Sequence, residues 1–218
     1  MEELITALDS FQKEGIRVVV LRAARDARVW SSGHDITELP QGQDPLPYSD
    51  SFEQALRAIK TFPTPIIAMV HGSVWGVATD LVLSCDIAIG DETSSFAVTP
   101  ANIGLAYNTS GLLRFMRRLP LNRVKEMFFI AEPVTAAEAV EWGILNHLVE
   151  ADRLEDYSIR KYCPMMTLPI VRTARRAGQT AVASIPRQVL SGLLAPVRMF
   201  AACASHEDHE ACENGIGI

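Results

Sequence analysis

The stretch Trp30-Ser31-Ser32-Gly33-His34-Asp35-Ile36 follows an apolar segment, Ile16 to Leu21, whose composition predicts a buried strand. A glycine in such a turn lets the backbone pass close to a bound ligand, and N–H groups at the exit of the turn can face a developing negative charge. The stretch therefore predicts one half of an oxyanion hole. A plain turn in which Asp35 caps a helix is the alternative interpretation of the same residues.

A second turn of this kind lies further along the chain. The apolar segment Ile66 to Val70 predicts a strand that runs into Gly72, and helical spacing then predicts a helix over Trp75 to Ser84. Backbone amides at the start of such a helix favour negative charge. Two turns of this type predict a two-armed hole around one oxygen atom.

These two turns resemble the signatures of the crotonase (enoyl-CoA hydratase/isomerase) superfamily, which are a small-Gly-X-Asp turn and a Gly-rich turn that leads to an acidic residue and a Cys-Asp pair. In this chain the second signature ends at Cys85-Asp86. The segment from Thr135 to Val149, which starts with the capping-box sequence Thr135-Ala136-Ala137-Glu138, also resembles that superfamily.

The resemblance implies an α/β fold with a spiral ββα core. We expect this core over residues 1–157, without the N-terminal strands usual in the superfamily, and a helical C-terminal region over residues 158–218. Within the latter, the segments from Thr167 to Gly178 and from Leu190 to Ala204 are the candidate helices.

Among the branches of the superfamily, the sequence resembles the methylmalonyl-CoA decarboxylases. The matching segments are Gly33-His34-Asp35-Ile36, Glu38-Leu39-Pro40, Ser73-Val74-Trp75-Gly76, Thr99 to Asn108 and Gly143-Ile144-Leu145-Asn146-His147. In hydratases two glutamates deliver water as acid and base, and by resemblance their positions hold Asp80 and Pro100, the latter four residues before Gly104. Because proline carries no carboxylate, we do not expect hydration, and the resemblance implies decarboxylation of a methylmalonyl-CoA-type thioester.

The resemblance also implies the roles of individual residues. The amides of His34 and Val77 would face the thioester oxygen, the Tyr107 hydroxyl would lie near the substrate carboxylate, and Asp80 would be a further catalytic residue. The expected substrate-binding residues are Ser32, Gly33, Asp35, Ile36, Gly76, Pro100 and Gly104. Coenzyme A would enter as part of the substrate, with no other cofactor and no metal.

Alternatives remain open at several positions. Tyr107 is by default an aromatic side chain that packs under a loop, and Asp80 can simply cap or pair at a helix start. Val77 stands where the superfamily usually has glycine, and a β-branched residue disfavours positive φ, so we expect a tilted amide or a narrowed pocket there. Another crotonase reaction (isomerisation, hydration or thioester hydrolysis) and a non-catalytic crotonase-fold subunit are the alternative functions.

The composition limits the remaining possibilities. The 218 residues are 48% hydrophobic with a formal net charge of −6, which argues against a nucleic-acid or membrane surface. Two groups of basic residues predict either solvated helix faces or contact with a phosphate-bearing ligand: Arg114, Arg117, Arg118, Arg123 and Lys125, and Arg172, Arg175 and Arg176.

The histidines and cysteines give weaker signals. His71 and His147 beside apolar strands predict structural roles, and the tail with His206, His209 and Cys212 predicts an exposed acidic segment rather than a metal site. The four cysteines form no CxxC pair, which predicts reduced thiols and a cytoplasmic protein. By resemblance we expect a homotrimer or homohexamer.

Overall fold

The computed structural model describes residues 1–35, 47, 49–162, 164, 171, 175 and 198–202. The strands are β1 (Val18–Arg22), β2 (Val29–Ser31), β3 (Ile66–Val70), β4 (Ser73–Trp75), β5 (Ile87–Asp91), β6 (Ser95–Ala97), β7 (Val134–Thr135), β8 (His147–Val149) and β9 (Arg198–Ala202). The helices are α1 (Glu2–Glu14), α2 (Ser51–Thr61), α3 (Val77–Ser84), α4 (Thr109–Arg118), α5 (Leu121–Ile130), α6 (Ala136–Trp142) and the single turn α7 (Leu154–Asp156). Pro100–Ile103 and Ala151–Arg153 form 3-10 turns, and Tyr157–Tyr162 is π-helical.

The strands form two sheets, with the orders β8-β5-β3-β1-β9 and β2-β4-β6-β7. In the first sheet β1, β3, β5 and β8 are parallel and β9 pairs antiparallel with β1. In the second, β2, β4 and β6 are parallel and β7 is antiparallel. Each unit of two strands and a helix gives one strand to each sheet: β1-β2-α2, β3-β4-α3 and β5-β6 followed by α4. This arrangement confirms the predicted spiral ββα core.

The core lies between the sheets and the helices. Strands β1 and β3 are buried along their whole length, as expected for central parallel strands that are covered on both faces. Trp30 of β2 is fully buried and its indole N–H donates to the carbonyl oxygen of Met69 at 2.9 Å. That bond links the second sheet to the first. It also gives the N–H, which is the only polar group of the indole, a hydrogen-bond partner.

Local sequence explains several of the element boundaries. Helix α1 ends at Gly15, which adopts φ 74°, and the Asp50 carboxylate caps α2. The Thr135 and Glu138 side chains form the predicted capping box, and α6 ends at Gly143 with φ 88°.

The predicted helix over Trp75 to Ser84 is wrong at its start. Trp75 belongs to β4 and pairs with Ala97 of β6, and α3 begins only at Val77. Gly76, with φ 57° and ψ −125°, separates the two elements, because a glycine can turn the chain sharply between a strand and a helix.

The C-terminal region differs from the prediction where it can be compared. Arg198–Ala202, expected within an apolar helix over Leu190 to Ala204, forms β9, because pairing satisfies the backbone groups along the outer edge of β1. The candidate helix over Thr167 to Gly178 lies almost wholly outside the described residues. Cys163, Cys203, Cys212, His206 and His209 also lie outside them. Within the described part of the chain, no helix has the length and apolar character that a membrane crossing requires.

Candidate active site

Three loops meet at one edge of the second sheet. Residues 32–35 follow β2, Gly76 and Val77 follow β4, and residues 98–108 follow β6. Since β2, β4 and β6 are neighbours and parallel, their carboxyl ends lie at the same edge, where ligands bind in many α/β folds. The structure thus brings together the three segments in which the sequence predicts the site.

The first two loops are in direct contact through Gly33. This residue adopts φ 79°, and a Cβ atom built on it would lie 2.6 Å from the carbonyl oxygen of Trp75. Its N–H donates to the Ser31 hydroxyl at 3.3 Å. Only glycine fits here, because the backbone of the first turn lies directly on the residue that precedes the second turn.

The second turn leads directly into the N-terminus of α3. The Gly76 N–H donates to the carbonyl oxygen of Ala97 at 2.7 Å, and Val77 is the first residue of α3. An N–H group at this position has no acceptor within its own helix and is available to an oxygen atom outside it.

The expectation of a tilted amide at Val77 was based on a positive φ, and that reason is wrong. Gly76 takes the positive φ, and among the described residues Ala131 is the non-glycine residue that has one. Val77 has a helical backbone, which a β-branched residue adopts readily. A pocket narrowed by its buried side chain stays a prediction.

His34 lies between exposed Ser32 and Asp35 in the first turn and is half-buried. Burial lowers the pKa of His34 to about 4, against the opposing effect of the Asp35 carboxylate. Its Nδ1 atom is buried and has no hydrogen-bond partner among the described residues. At neutral pH the imidazole of His34 is therefore uncharged. Ile36, the last residue of the predicted turn, lies outside the described residues.

Asp80, a predicted catalytic residue, is held in a buried ion pair. Its two carboxylate oxygens accept from the Nε of Arg114 at 2.7 and 2.8 Å, and the Nη2 of Arg114 also bonds one of them. The same Nη2 donates to the Glu53 Oε1 at 2.6 Å. With both oxygens of Asp80 engaged, the geometry favours the structural interpretation of this residue.

Sequence reasoning missed Glu53 and placed Arg114 among residues of solvated faces or phosphate contacts. Both are buried, Glu53 fully. A usable signal existed for Glu53, which stands three residues before buried Leu56 and therefore on the apolar face of α2.

Tyr107 packs as an aromatic side chain, and its predicted contact with a substrate carboxylate stays a prediction. Its ring packs edge-to-face against Phe128 and Phe115 at centroid distances of 4.9 and 6.0 Å, and a Cβ atom on Gly111 would overlap that ring. Its hydroxyl is buried and has no partner among the residues that the structure describes. Burial and the nearby Asp80 carboxylate raise the pKa of Tyr107 well above its usual value, so the hydroxyl is a neutral donor.

The remaining predicted site residues lie in the third loop. Pro100 starts the 3-10 turn Pro100–Ile103, which ends at Gly104 with φ 66°. Pro100 is partly exposed and Gly104 is exposed. No carboxylate is available at the position of Pro100.

Several other singled-out residues have structural partners. Arg118 donates to the carbonyl oxygen of Cys85 at 3.0 Å, and Arg175 donates to the Asp86 carboxylate at 2.8 Å.

The His71 Nε2 lies 3.0 Å from the carbonyl oxygen of Ala24, and the His147 Nε2 bonds the Tyr162 hydroxyl. Buried Cys85 is a free thiol.

Among the described residues there is no group of three or more side chains suited to hold a metal ion. A cavity of about 490 Å³ lies elsewhere, at the carboxyl ends of β1, β3 and β5, and its lining includes Arg22, Arg28, His71 and Glu155.

Residues 1–216 match the model of the enoyl-CoA hydratase/isomerase family. The chain belongs to this family. Among its curated relatives, this family member is 45% identical to the methylmalonyl-CoA decarboxylase of Escherichia coli K12 over 73% of this chain and 62% of that protein. It is 33% identical to the rat mitochondrial enoyl-CoA hydratase domain-containing protein 3 over 70% of this chain and 51% of that one. The chain thus spans less than two thirds of the length of either relative.

Solved structures of the enoyl-CoA hydratase/isomerase family agree with the fold. A methylmalonyl-CoA decarboxylase complexed with 2S-carboxypropyl CoA superposes with a TM-score of 0.80 at 38% identity, covering 86% of this chain and 73% of that one. The human enoyl coenzyme A hydratase domain-containing protein 3 gives 0.69 at 28% identity, with coverages of 83% and 76%. The crotonase fold and the family are therefore established for this chain.

Proposed function

We propose that this chain decarboxylates a methylmalonyl-CoA-type thioester through an enolate that the amides of His34 and Val77 stabilise. The observation that carries the proposal is the seating of Gly33 on the Trp75 carbonyl, which joins the two amide-bearing turns. The identity to a methylmalonyl-CoA decarboxylase supports the choice of reaction within the family.

In the proposed mechanism the thioester oxygen lies between the two amides. The bond between the α-carbon and the carboxylate breaks, carbon dioxide leaves, and the electron pair moves into the enolate, whose charge collects on that oxygen. Fixed N–H donors stabilise such a charge strongly, and removal of one donor costs about 3–4 kcal/mol in activation free energy.

The Tyr107 hydroxyl is proposed to contact the substrate carboxylate. It is a neutral donor without a partner among the described residues, so it can donate to the carboxylate without first leaving another bond. Its aromatic packing keeps it in place, which orients the scissile bond relative to the thioester.

The two positions that match the hydratase glutamates disfavour hydration in this chain. Pro100 supplies no carboxylate, and Asp80 has both oxygens on Arg114. A hydratase needs one group to take a proton from water and another to give one to the substrate carbon. Neither of the two matched positions offers a free carboxylate for that work.

Coenzyme A is carried as part of the substrate, and no separate cofactor or metal takes part. The protein works in the cytoplasm as a homotrimer or homohexamer.

The test follows two reactions in parallel on one preparation. Carbon dioxide release from methylmalonyl-CoA and loss of the crotonyl-CoA double-bond absorbance are measured, with calorimetric titration of propionyl-CoA as the binding control. We expect carbon dioxide release without hydration. Hydration without carbon dioxide release would assign the chain to another reaction of the family, and binding without either activity would identify a non-catalytic homologue.

A further inference from the structure

Glu53 is a buried carboxyl group of which only one half is engaged. It lies on α2 with none of its surface exposed, and its Oε1 accepts from the Nη2 of Arg114 at 2.6 Å. Its Oε2 is also buried and has no hydrogen-bond partner among the residues that the structure describes. A buried polar oxygen left in this way is rare in folded proteins and requires a specific explanation.

The neighbours of Glu53 connect it to the predicted site. Arg114 joins it to Asp80, which lies in the first turn of α3, the helix that starts with Val77. The charges of Asp80, Arg114 and Glu53 also affect the pKa of the Tyr107 hydroxyl. The carboxyl group of Glu53 thus belongs to a charged cluster with Arg114 and with Asp80 of the helix that starts at Val77.

Burial keeps the carboxyl group of Glu53 protonated at neutral pH. Burial raises the pKa of Glu53 to about 8, and the Asp80 carboxylate adds to this, while Arg114 and Lys60 act in the opposite direction. Because Oε1 accepts a hydrogen bond from Arg114, the proton resides on Oε2. The acid form therefore carries an O–H group on an oxygen atom that has no hydrogen-bond partner among the described residues.

The proposed reaction needs such a group. Loss of carbon dioxide leaves an enolate carbon that must gain one proton. Asp80 is ion-paired, Tyr107 is a very weak acid, and the low pKa of His34 leaves its imidazole without an extra proton at neutral pH. Glu53 is the group in this cluster whose acid form persists near neutrality and whose conjugate base has a cation beside it.

We propose that Glu53 is the acid that protonates the enolate carbon after carbon dioxide has left. The Oε2–H bond breaks, its electron pair stays on Oε2, and a C–H bond forms at the α-carbon of the thioester. The resulting carboxylate faces Arg114 and regains a proton from solvent before the next turnover. This inference rests on the proposed decarboxylation.

The experiment compares the wild type with Glu53→Gln, which keeps an oxygen for Arg114 and removes the acid. Glu150→Gln, at an exposed surface position, is the matched control. Methylmalonyl-CoA is converted in D₂O, and the configuration of the deuterium at C2 of the propionyl product is determined by NMR after coupling to a chiral auxiliary. The kcat and KM for carbon dioxide release are measured from pH 6 to pH 9.

We expect the wild type and the control to place deuterium on one face and to lose activity as the pH rises through about 8, where Glu53 ionises. Glu53→Gln should lower kcat on the order of 10²-fold with little change in KM, give both configurations and abolish the basic limb. The Lys60 ammonium, whose pKa burial lowers to about 8, is retained in that variant, so loss of the limb assigns it to Glu53.

A wild-type product with deuterium on both faces would overturn the inference even if the variant failed to fold. So would a Glu53→Gln enzyme that kept a single configuration and the basic limb, since a merely structural partner of Arg114 would leave both unchanged. If the wild type released no carbon dioxide, the proposed function would fail and the inference with it, which is a separate and recognisable result.

Discussion

At the residue scale, the backbone amides and the side chains of the site have different proposed roles. The amides of His34 and Val77 are the proposed charge-stabilising groups, and a side-chain change at either position leaves its amide in place. Valine can occupy position 77 without a strained backbone because Gly76 takes the positive φ and Val77 is helical. The hydroxyl of Tyr107 is different, since it can be removed without disturbing the backbone or the ring packing.

Tyr107→Phe should lower kcat for decarboxylation by about 10- to 100-fold, the equivalent of ~1.5–3 kcal/mol for a hydrogen bond to a charged group. The dissociation constant for propionyl-CoA should stay unchanged, because the product has no carboxylate. Tyr157→Phe, which removes the hydroxyl that bonds exposed Lys161, is the matched control. Unchanged turnover, or equal losses in binding and rate, would remove Tyr107 from the site.

At the element scale, the sequence predicted correctly those boundaries that depend on neighbouring residues in the chain. The strand Ile66–Val70 and the capping box that opens α6 were predicted correctly. Trp75 was assigned to a helix because its spacing to Ala78 and Leu81 is helical, whereas its pairing with Ala97 depends on a distant strand. The amide-bearing turns of the site were likewise predictable because each is a short sequence pattern.

The charged cluster of the site was not predictable in the same way. Glu53, Asp80 and Arg114 lie on three different helices and meet only when α2, α3 and α4 pack together. No local pattern records which acid a buried arginine will bond. The sequence therefore left two interpretations open for Asp80, a catalytic residue by resemblance or a structural partner, and predicted a solvated face or a phosphate contact for Arg114.

The contact between the two turns can be tested with a pair of glycine variants. Gly15→Ala and Gly33→Ala both place a side chain at positive φ, which costs roughly 1–2 kcal/mol. A Cβ at Gly15 meets nothing within 4 Å, whereas one at Gly33 would lie 2.6 Å from the Trp75 carbonyl oxygen. Gly33→Ala should therefore destabilise more than Gly15→Ala in denaturant unfolding, and only Gly33→Ala should abolish activity. Equal losses of stability with activity retained in both would show that the two turns need not touch.

At the scale of the whole molecule, α5 presents apolar side chains to solvent. Phe129 is 73% exposed, Ile130 58% and Leu121 50%. Large exposed apolar side chains grouped on one element often mark an interface between subunits. They are consistent with the homotrimer or homohexamer proposed from the resemblance.

Sedimentation equilibrium at micromolar concentration should therefore give the mass of three or six subunits. Phe129→Asp should shift the distribution toward smaller species, because it buries a charge if α5 lies in the interface. Asn122→Asp adds the same charge to an exposed position of that helix without removing apolar surface and serves as the control. A wild-type protein that sedimented as a monomer would rule out the proposed assembly.

The central claim is that two backbone amides hold one oxygen atom, and a crystal structure of the protein with bound 2-nitronate-propionyl-CoA tests it most directly. This compound is the ligand in a solved methylmalonyl-CoA decarboxylase structure at 38% identity to this chain. We predict that the thioester oxygen will lie about 2.7–3.1 Å from the backbone nitrogen atoms of both His34 and Val77. A bound thioester whose oxygen contacted neither amide, or only one of them, would contradict the account.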